Sequence, residues 1–323
     1  MNEFVTVLGA VVPVFGIIVT GLMLRRLGWL TEAADQSLLR VSINLLMPAL
    51  IFDSVLGNAA LRRPENLVLP PLVGSVMVMV GISVAWLAAR LLGIGTEREQ
   101  RTFALTTGLQ NYVYISLPLT VLLFDSGTTG VLLVHNVGVE MILWTVGVAV
   151  LSGSRLGSNW RKIINPPLVT LVLGVVLNFA GLRFSVPGMV LMGGRMILTA
   201  VHLLGQCAIP VALLLTGAII ADHFNEIHGG RAVRVVVSAV LLRLGLMPVL
   251  FLLVARFLPC SIELKRVIVI EGAMSSAMFP IVMAKHYGGD TRTAIQVVMG
   301  TTFAGLVMIP LWIRLGGQVV GLW

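Results

Sequence analysis

The chain is an almost unbroken succession of apolar stretches, each about as long as a helix that crosses a bilayer. They lie at approximately 4–24, 37–58, 67–89, 102–124, 130–151, 166–182, 189–221, 232–254, 266–286 and 293–313. A crossing helix needs about 20 apolar residues, so the expected fold is an all-α polytopic membrane protein with ten transmembrane helices. The seventh stretch is too long for one upright span. It reads as an interfacial piece carrying Arg195, followed by a crossing from about residue 200. Only 11% of the residues are charged, against about 25% in soluble domains. That deficit excludes a cytosolic enzyme, a disordered tail and a disulfide scaffold. Cys207 and Cys260 lack metal-ligand spacing and read as free thiols. No basic leader or small-residue cleavage site is evident around Phe4, so the first stretch reads as a retained span.

The net charge of +8 would suggest nucleic acid in a soluble protein. Here the basic residues fall between the apolar stretches, so the expected partner is the lipid bilayer and not nucleic acid. Connections after odd-numbered spans hold Arg25, Arg26, Arg90, Arg98, Arg101, Arg155, Arg161, Lys162, Arg231, Arg234 and Arg292. The opposite side holds Arg62, Arg63, Arg183, Arg256, Lys265, Arg266 and Arg314. The bias of 11 to 7 places the odd connections in the cytoplasm and both termini outside.

Proline inside a span removes a backbone hydrogen bond and strands a carbonyl. Lipid tolerates this only where protein or a water-filled cavity satisfies the freed groups. Pro48 and Pro118 are 70 residues apart, and so are Pro210 and Pro280, so one offset of 162 maps the first pair onto the second. Their contexts agree: "NLLMPALIFDSVLG" (44–57) with "GQCAIPVALLLTGA" (205–218), and "SLPLTVLLFDSGTTG" (116–130) with "MFPIVMAKHYGGDT" (278–291). Repeats of five spans, an odd number, must insert with opposite orientation. The chain therefore divides into a first five-helix repeat (1–151), a cytoplasmic connection (152–165) and a second, inverted repeat (166–323). Helices 4 and 9, broken at Pro118 and Pro280, are expected to cross near the membrane midplane, with further breaks at Pro48 and Pro210. Interrupted helices offer N–H groups to an anion and carbonyls to a cation.

Polar residues gather beside these breaks. Gln110, Asn111, Tyr112, Tyr114 and Ser116 precede Pro118; Glu271, Ser275 and Ser276 precede Pro280. An amide pair facing a carboxylate and hydroxyls suits a carboxylate substrate or a monovalent cation with oxygen ligands. Asn111 and Gln110 lead the candidates for substrate contact, with Ser275, Ser276, Tyr112, Tyr114 and, in the second span, Asn44. An acid deep in a span is costly if charged and unpaired. Glu271 is therefore expected to be protonated, paired or bound to a cation, which makes it the candidate for ion coupling together with Asn111. Arg243 lies mid-span as a counter-charge for an anion, or as a structural partner of Glu140 or Asp53. His135 and His202 read as hydrogen-bonded packing residues.

Taken in order, "NLLMPALIF", "QNYVYISLPL", "INPPLVTLVLGVVLN", "AIPVALLLTGAII" and "MFPIVMAKHYGGD" resemble the auxin efflux carrier family over nearly the whole chain. That family includes plant auxin exporters and bacterial carriers of malonate and other small carboxylates, and shares its fold with bacterial bile-acid sodium symporters. The resemblance implies a scaffold domain (helices 1, 2, 6 and 7) moving against a transport domain (helices 3–5 and 8–10). The scaffold offers a surface for a homodimer. Asn111 matches the family's asparagine in helix 4, and "EGAMSS" (271–276) is similar to the stretch where sodium symporters place a coordinating glutamate. Asn111 shifted by 162 falls on Ala273, so the two halves are not polar equivalents. The compact 152–165 connection resembles the bacterial branch, which implies an inner (plasma) membrane location.

The expected function is secondary transport of a small organic anion, malonate or a similar carboxylate, by alternating access. No cofactor is expected beyond a coupling proton or sodium ion, with the one candidate metal site at Glu271. A sodium-coupled symporter of a larger, bile-acid-like amphipathic acid is the alternative. A membrane-embedded enzyme would need a nucleophile–base pair or metal ligands inside the spans, and the sequence has neither an HExxH pair nor a GxSxG elbow.

Overall fold

The computed structural model describes residues 3–153, 164–180, 189–223 and 230–322. Most of the central connection (154–163, with Arg155, Arg161 and Lys162) and Arg183 lie outside the described residues. The described chain is all-helical: α1 Glu3–Arg26, α2 Glu32–Val55, α3 Glu65–Leu91, α4 Glu97–Gly108, α5 Ser116–Leu123, α6 Ser126–Ser152, α7 Pro166–Phe179, α8 Met189–Asp222, α9 Ala232–Phe257, α10 Ile262–Ala273, α11 Phe279–Tyr287 and α12 Thr291–Val320. Seven of these, α1, α2, α3, α6, α8, α9 and α12, are long and apolar enough to cross a membrane. The protein is thus a multi-pass membrane protein. Helix α7 is apolar but only 14 residues long. The pairs α4/α5 and α10/α11 are stretches interrupted in the middle.

Local chemistry sets the ends. Thr96 and Glu99 form a reciprocal capping box at the start of α4. Asp125, Ser261 and Asp290 cap α6, α10 and α12 through their side chains. Asn165 caps α7, and Pro166 follows it at the first helical position, where a missing N–H costs nothing. At one end of the bundle Arg25 pairs with Asp35 and, at 3.0 Å, with Asp222, tying the end of α1 to the start of α2 and the end of α8.

Two expected breaks are corrected. Pro48 does not interrupt α2, and Pro210 does not interrupt α8. A single wide π-turn, Ser42–Leu46, precedes Pro48 and absorbs the missing donor while the helix continues. Arg243 and Pro248 sit in and after a like turn, Leu242–Leu246 in α9. Pro210 lies on the exposed face of an unbroken α8.

Packing sorts the helices. Helix α8 lies along α1 and α2, and α7 against α2. Helix α3 packs on α4 and α6, while α12 packs on α9, α10, α4 and α1. Small residues allow the closest approaches. A Cβ on Gly108, the last residue of α4, would overlap the backbone of Gly81 and Ile82 in α3.

Candidate functional site

The two interruptions meet. Asn111 N–H donates to Ser275 O at 2.8 Å, and Ala277 N–H donates to Leu109 O at 3.0 Å, so Gln110 and Ser276 pair as an antiparallel bridge. Unwound backbone inside a membrane must find partners within the protein, and here each break supplies them to the other. Side chains complete the set. The Asn111 Oδ1 accepts from the Tyr114 and Ile115 amides at 3.0 and 3.3 Å, capping the restart at α5. Asn136 Nδ2 donates to Tyr112 O at 2.7 Å. Ser276 N–H donates to Thr301 Oγ1 at 3.2 Å. Pro118 and Pro280 stand in the first turns of α5 and α11, where a missing N–H is harmless, so they mark where each helix resumes.

Arg243 is fully buried, and its guanidinium goes to the end of α10. Nε donates to Met274 O at 2.9 Å, and one terminal nitrogen to Glu271 O at 3.0 Å and Gly272 O at 3.4 Å. It does not line the cavity, so the expected direct contact with substrate is replaced by a cap on stranded carbonyls. Neither partner read from the sequence is its partner: Asp53 pairs with His202 at 2.8 Å, and Glu140 accepts from Asn165.

Close to the bridge are five fully buried polar residues: Glu271, Gln110, Ser116, Ser275 and Ser276. The Glu271 carboxylate has Ser116, Gln110 and Arg243 beside it. Among the described residues, neither its oxygens nor the side-chain polar atoms of the other four meet hydrogen-bond geometry with a protein group. Native buried polar groups are seldom left so.

In front of the bridge is a cavity of about 240 Å³. Ser42, Met47 and Ile51 of α2, Leu168 and Leu171 of α7, and Ala212 of α8 form one wall. Asn111, Tyr112 and Tyr114 of the first break, Asn136, Glu140 and Trp144 of α6, and Met278 and Phe279 form the other. Asn111 is 1% exposed, and its Nδ2 has no partner among the described residues, leaving a donor for whatever enters. The structure therefore brings Asn111, Tyr112 and Tyr114 to the cavity, and leaves Gln110, Glu271, Ser275 and Ser276 buried outside its lining. Asn44 is placed elsewhere: it is exposed and donates to Arg40 O at 2.8 Å. Ser42 takes its place, since two residues along a helix turn the side chain by about 200°.

Ser42, Asn136 and Asn165 are cavity residues that the sequence reading left unassigned, and Glu140 is one that it read only as a partner for Arg243. The signal for two of them was present. Asn136 and Glu140 are four residues apart on an otherwise apolar span, so they share a face. Ser42 has no such signal, because the wide turn beside it changes the helical phase.

Long apolar helices around paired interruptions, with polar groups meeting at the breaks beside a cavity, define a membrane transporter. A family model described as "Membrane transport protein" matches residues 6–158 and 153–313. The chain belongs to this family, the auxin efflux carrier family that its sequence resembles. It is 28% identical over 314 residues to an uncharacterized transporter of Methanothermobacter thermautotrophicus, covering 94% of this chain and 96% of that one. It is 22% identical over 307 residues to an uncharacterized transporter of Methanocaldococcus jannaschii, covering 92% and 94%. It is 22% identical over 318 residues to the uncharacterized transporter YfdV of Escherichia coli, covering 95% and 96%.

Proposed function

We propose that the protein is a secondary carrier of a small organic anion, working by alternating access in a bacterial inner membrane with both termini outside. The observation that carries this reading is the Asn111 Nδ2 at the cavity, without a partner among the described residues, beside the meeting of two interrupted helices. Interrupted helices at mid-membrane are the usual construction of carrier sites. The proposal includes ten spans in two inverted five-helix repeats (1–151 and 166–323 around the 152–165 connection), in which α4/α5 and α10/α11 are the fourth and ninth spans. Its scaffold is α1, α2, α7 and α8, open to a homodimer, and its transport domain is α3–α6 and α9–α12. Supporting this division, α8 packs on α1 and α2, and the cavity lies between α2, α7 and α8 on one side and α6 with the bridge on the other.

The lining favours one carboxylate on an apolar body over a dianion such as malonate. Trp144, Phe279, Met47 and Leu171 surround a few polar groups, and no Lys, Arg or His stands among the described lining to balance a second negative charge. This observation gives weight to the amphipathic alternative. The buried oxygens at Glu271 fit a coupling ion: Glu271 with Ser116 and the Gln110 carbonyl would hold a sodium ion, or Glu271 a proton. The ion would supply a positive charge that stabilises the crossing.

A thermal-stability screen of malonate, succinate, benzoate and phenylacetate, each with and without sodium, tests the reading. A ligand at about 100 times its Kd stabilises the folded state by about 2.7 kcal/mol. Stabilisation by a monocarboxylate, lost in Asn111→Leu, is expected; no response to any carboxylate overturns the reading. Glu271→Gln is expected to remove any dependence on the ion, and wild-type dependence in that variant contradicts the assignment.

A further inference from the structure

The cavity poses an electrostatic problem for an anion carrier. Among its described lining residues there is no Lys, Arg or His, and the only charged type is an acid, Glu140. Its Oε2 accepts from Asn165 Nδ2 at 2.9 Å, while Asn165 Oδ1 caps α7 by accepting from the Leu168 amide at 2.9 Å. The Glu140 Oε1 has no protein partner among the described residues. Two carboxylates in one poorly hydrated cavity repel unless a proton is shared between them. An unpaired carboxylate near mid-span is itself costly.

We propose that Glu140 is the protonation site of the cavity, and that an organic carboxylate binds there together with one proton held between the two carboxyl groups. The inference rests on the carrier reading and adds to it. It places a proton with the ligand, in front of the bridge, separately from the buried oxygens at Glu271. On binding, a buffer acid in bulk solvent gives up a proton and stays behind as its conjugate base, an O–H bond forms on Glu140 or on the ligand, and the other carboxylate accepts from it. Asn111 Nδ2 supplies a donor to the anion from the first break.

The groups that face Glu140 leave it as the acid that must titrate. The first break presents Tyr112 and Tyr114, and α7 presents Asn165. Helices α2 and α8 present Ser42 and Ala212, and the second break presents Met278 and Phe279. Tyr112 stands within electrostatic reach of both Glu140 and Glu271, and Arg243 lies by Glu271 at the end of α10. The phenols are weak acids with ordinary values of about 10, so at neutral pH they donate without changing charge.

The experiment is calorimetric titration of the purified full chain with phenylacetate and with malonate between pH 6 and 9, in buffers of different ionisation enthalpy. Net uptake approaching one proton per bound ligand is expected somewhere in this range. Affinity should fall by about tenfold per pH unit where Glu140 loses its proton before binding. Glu140→Gln should bind without proton uptake and with a flat pH profile, and Asn165→Leu should keep the uptake while shifting the pH at which it occurs. Binding by the wild type with no proton uptake overturns the inference alone. So does uptake that Glu140→Gln retains, or that only Glu271→Gln removes. Failure of both ligands to bind at any pH overturns the carrier reading and this inference together.

Discussion

Single side chains at the crossing hold positions that no other residue type fills as well. Arg243 reaches three carbonyls at the end of α10 from a fully buried position. Removing one partner of a buried charged arrangement typically costs about 3–5 kcal/mol. Arg243→Met is therefore expected to unfold at a distinctly lower temperature than the wild type, read by intrinsic fluorescence or light scattering. A variant melting with the wild type would mean that the carbonyls are satisfied in another way. Asp125, outside the spans, gives a pH prediction. Partial burial works to raise its carboxyl, but the Thr128 amide and hydroxyl and Arg266 outweigh this and hold it below its ordinary value of 3.8. Arg266 bonds it at 2.6 Å. A depressed folded value means that the unfolded chain binds the proton more readily. The contribution is thus present at pH values above the ordinary value of 3.8 and lost as pH falls from there through the depressed folded value. The melting temperature should drop on acidification through this window, and Asp125→Asn should flatten that part of the drop.

At the scale of elements, the apolar runs were plain in the sequence because their length is dictated by the bilayer and depends little on packing. Every such run coincides with helix in the described residues, either whole or as an interrupted pair. Proline was a less faithful guide. Pro118 and Pro280 flag real interruptions, yet Pro48 and Pro210 sit in helices that continue. A missing N–H can be met by ending a helix or by widening one turn, and local sequence does not distinguish the two outcomes. The same wide turn explains why Ser42 lines the cavity and Asn44 does not. Asn111, by contrast, was legible because an amide beside a helix break has few uses other than capping and ligand contact, and here it has the geometry for both. Glu140 was visible as an acid within a span, but its place at the cavity depends on α7 arriving with Asn165, a contact across 25 residues. The end of α4 yields a packing prediction. Gly108→Val would press a branched side chain into the backbone at Gly81 and Ile82. Overpacking of this kind costs about 1–3 kcal/mol, so thermal stability should fall while Gly108→Ala falls less. Equal stability of all three proteins would show that α3 and α4 separate easily.

For the whole molecule, the scarcity of charge becomes an arrangement. Among the described residues the fully buried Glu271 and Arg243 stand together at the crossing, and the half-buried Glu140 lines the cavity. Other ion pairs, such as Arg25 with Asp222 and Arg266 with Asp125, tie helix ends together. A wall made by α2, α7 and α8 faces a wall built on α6 and the two breaks, and the cavity between them is where relative movement of the walls would change access. The central claim is that an organic anion crosses the membrane through this cavity, held by Asn111. Its most direct test is uptake of radiolabelled phenylacetate and malonate into proteoliposomes, with wild type and Asn111→Leu reconstituted side by side. The account predicts saturable uptake by the wild type and a rate near that of empty liposomes for the variant. Uptake that Asn111→Leu leaves unchanged, or none by the folded wild type, would contradict it.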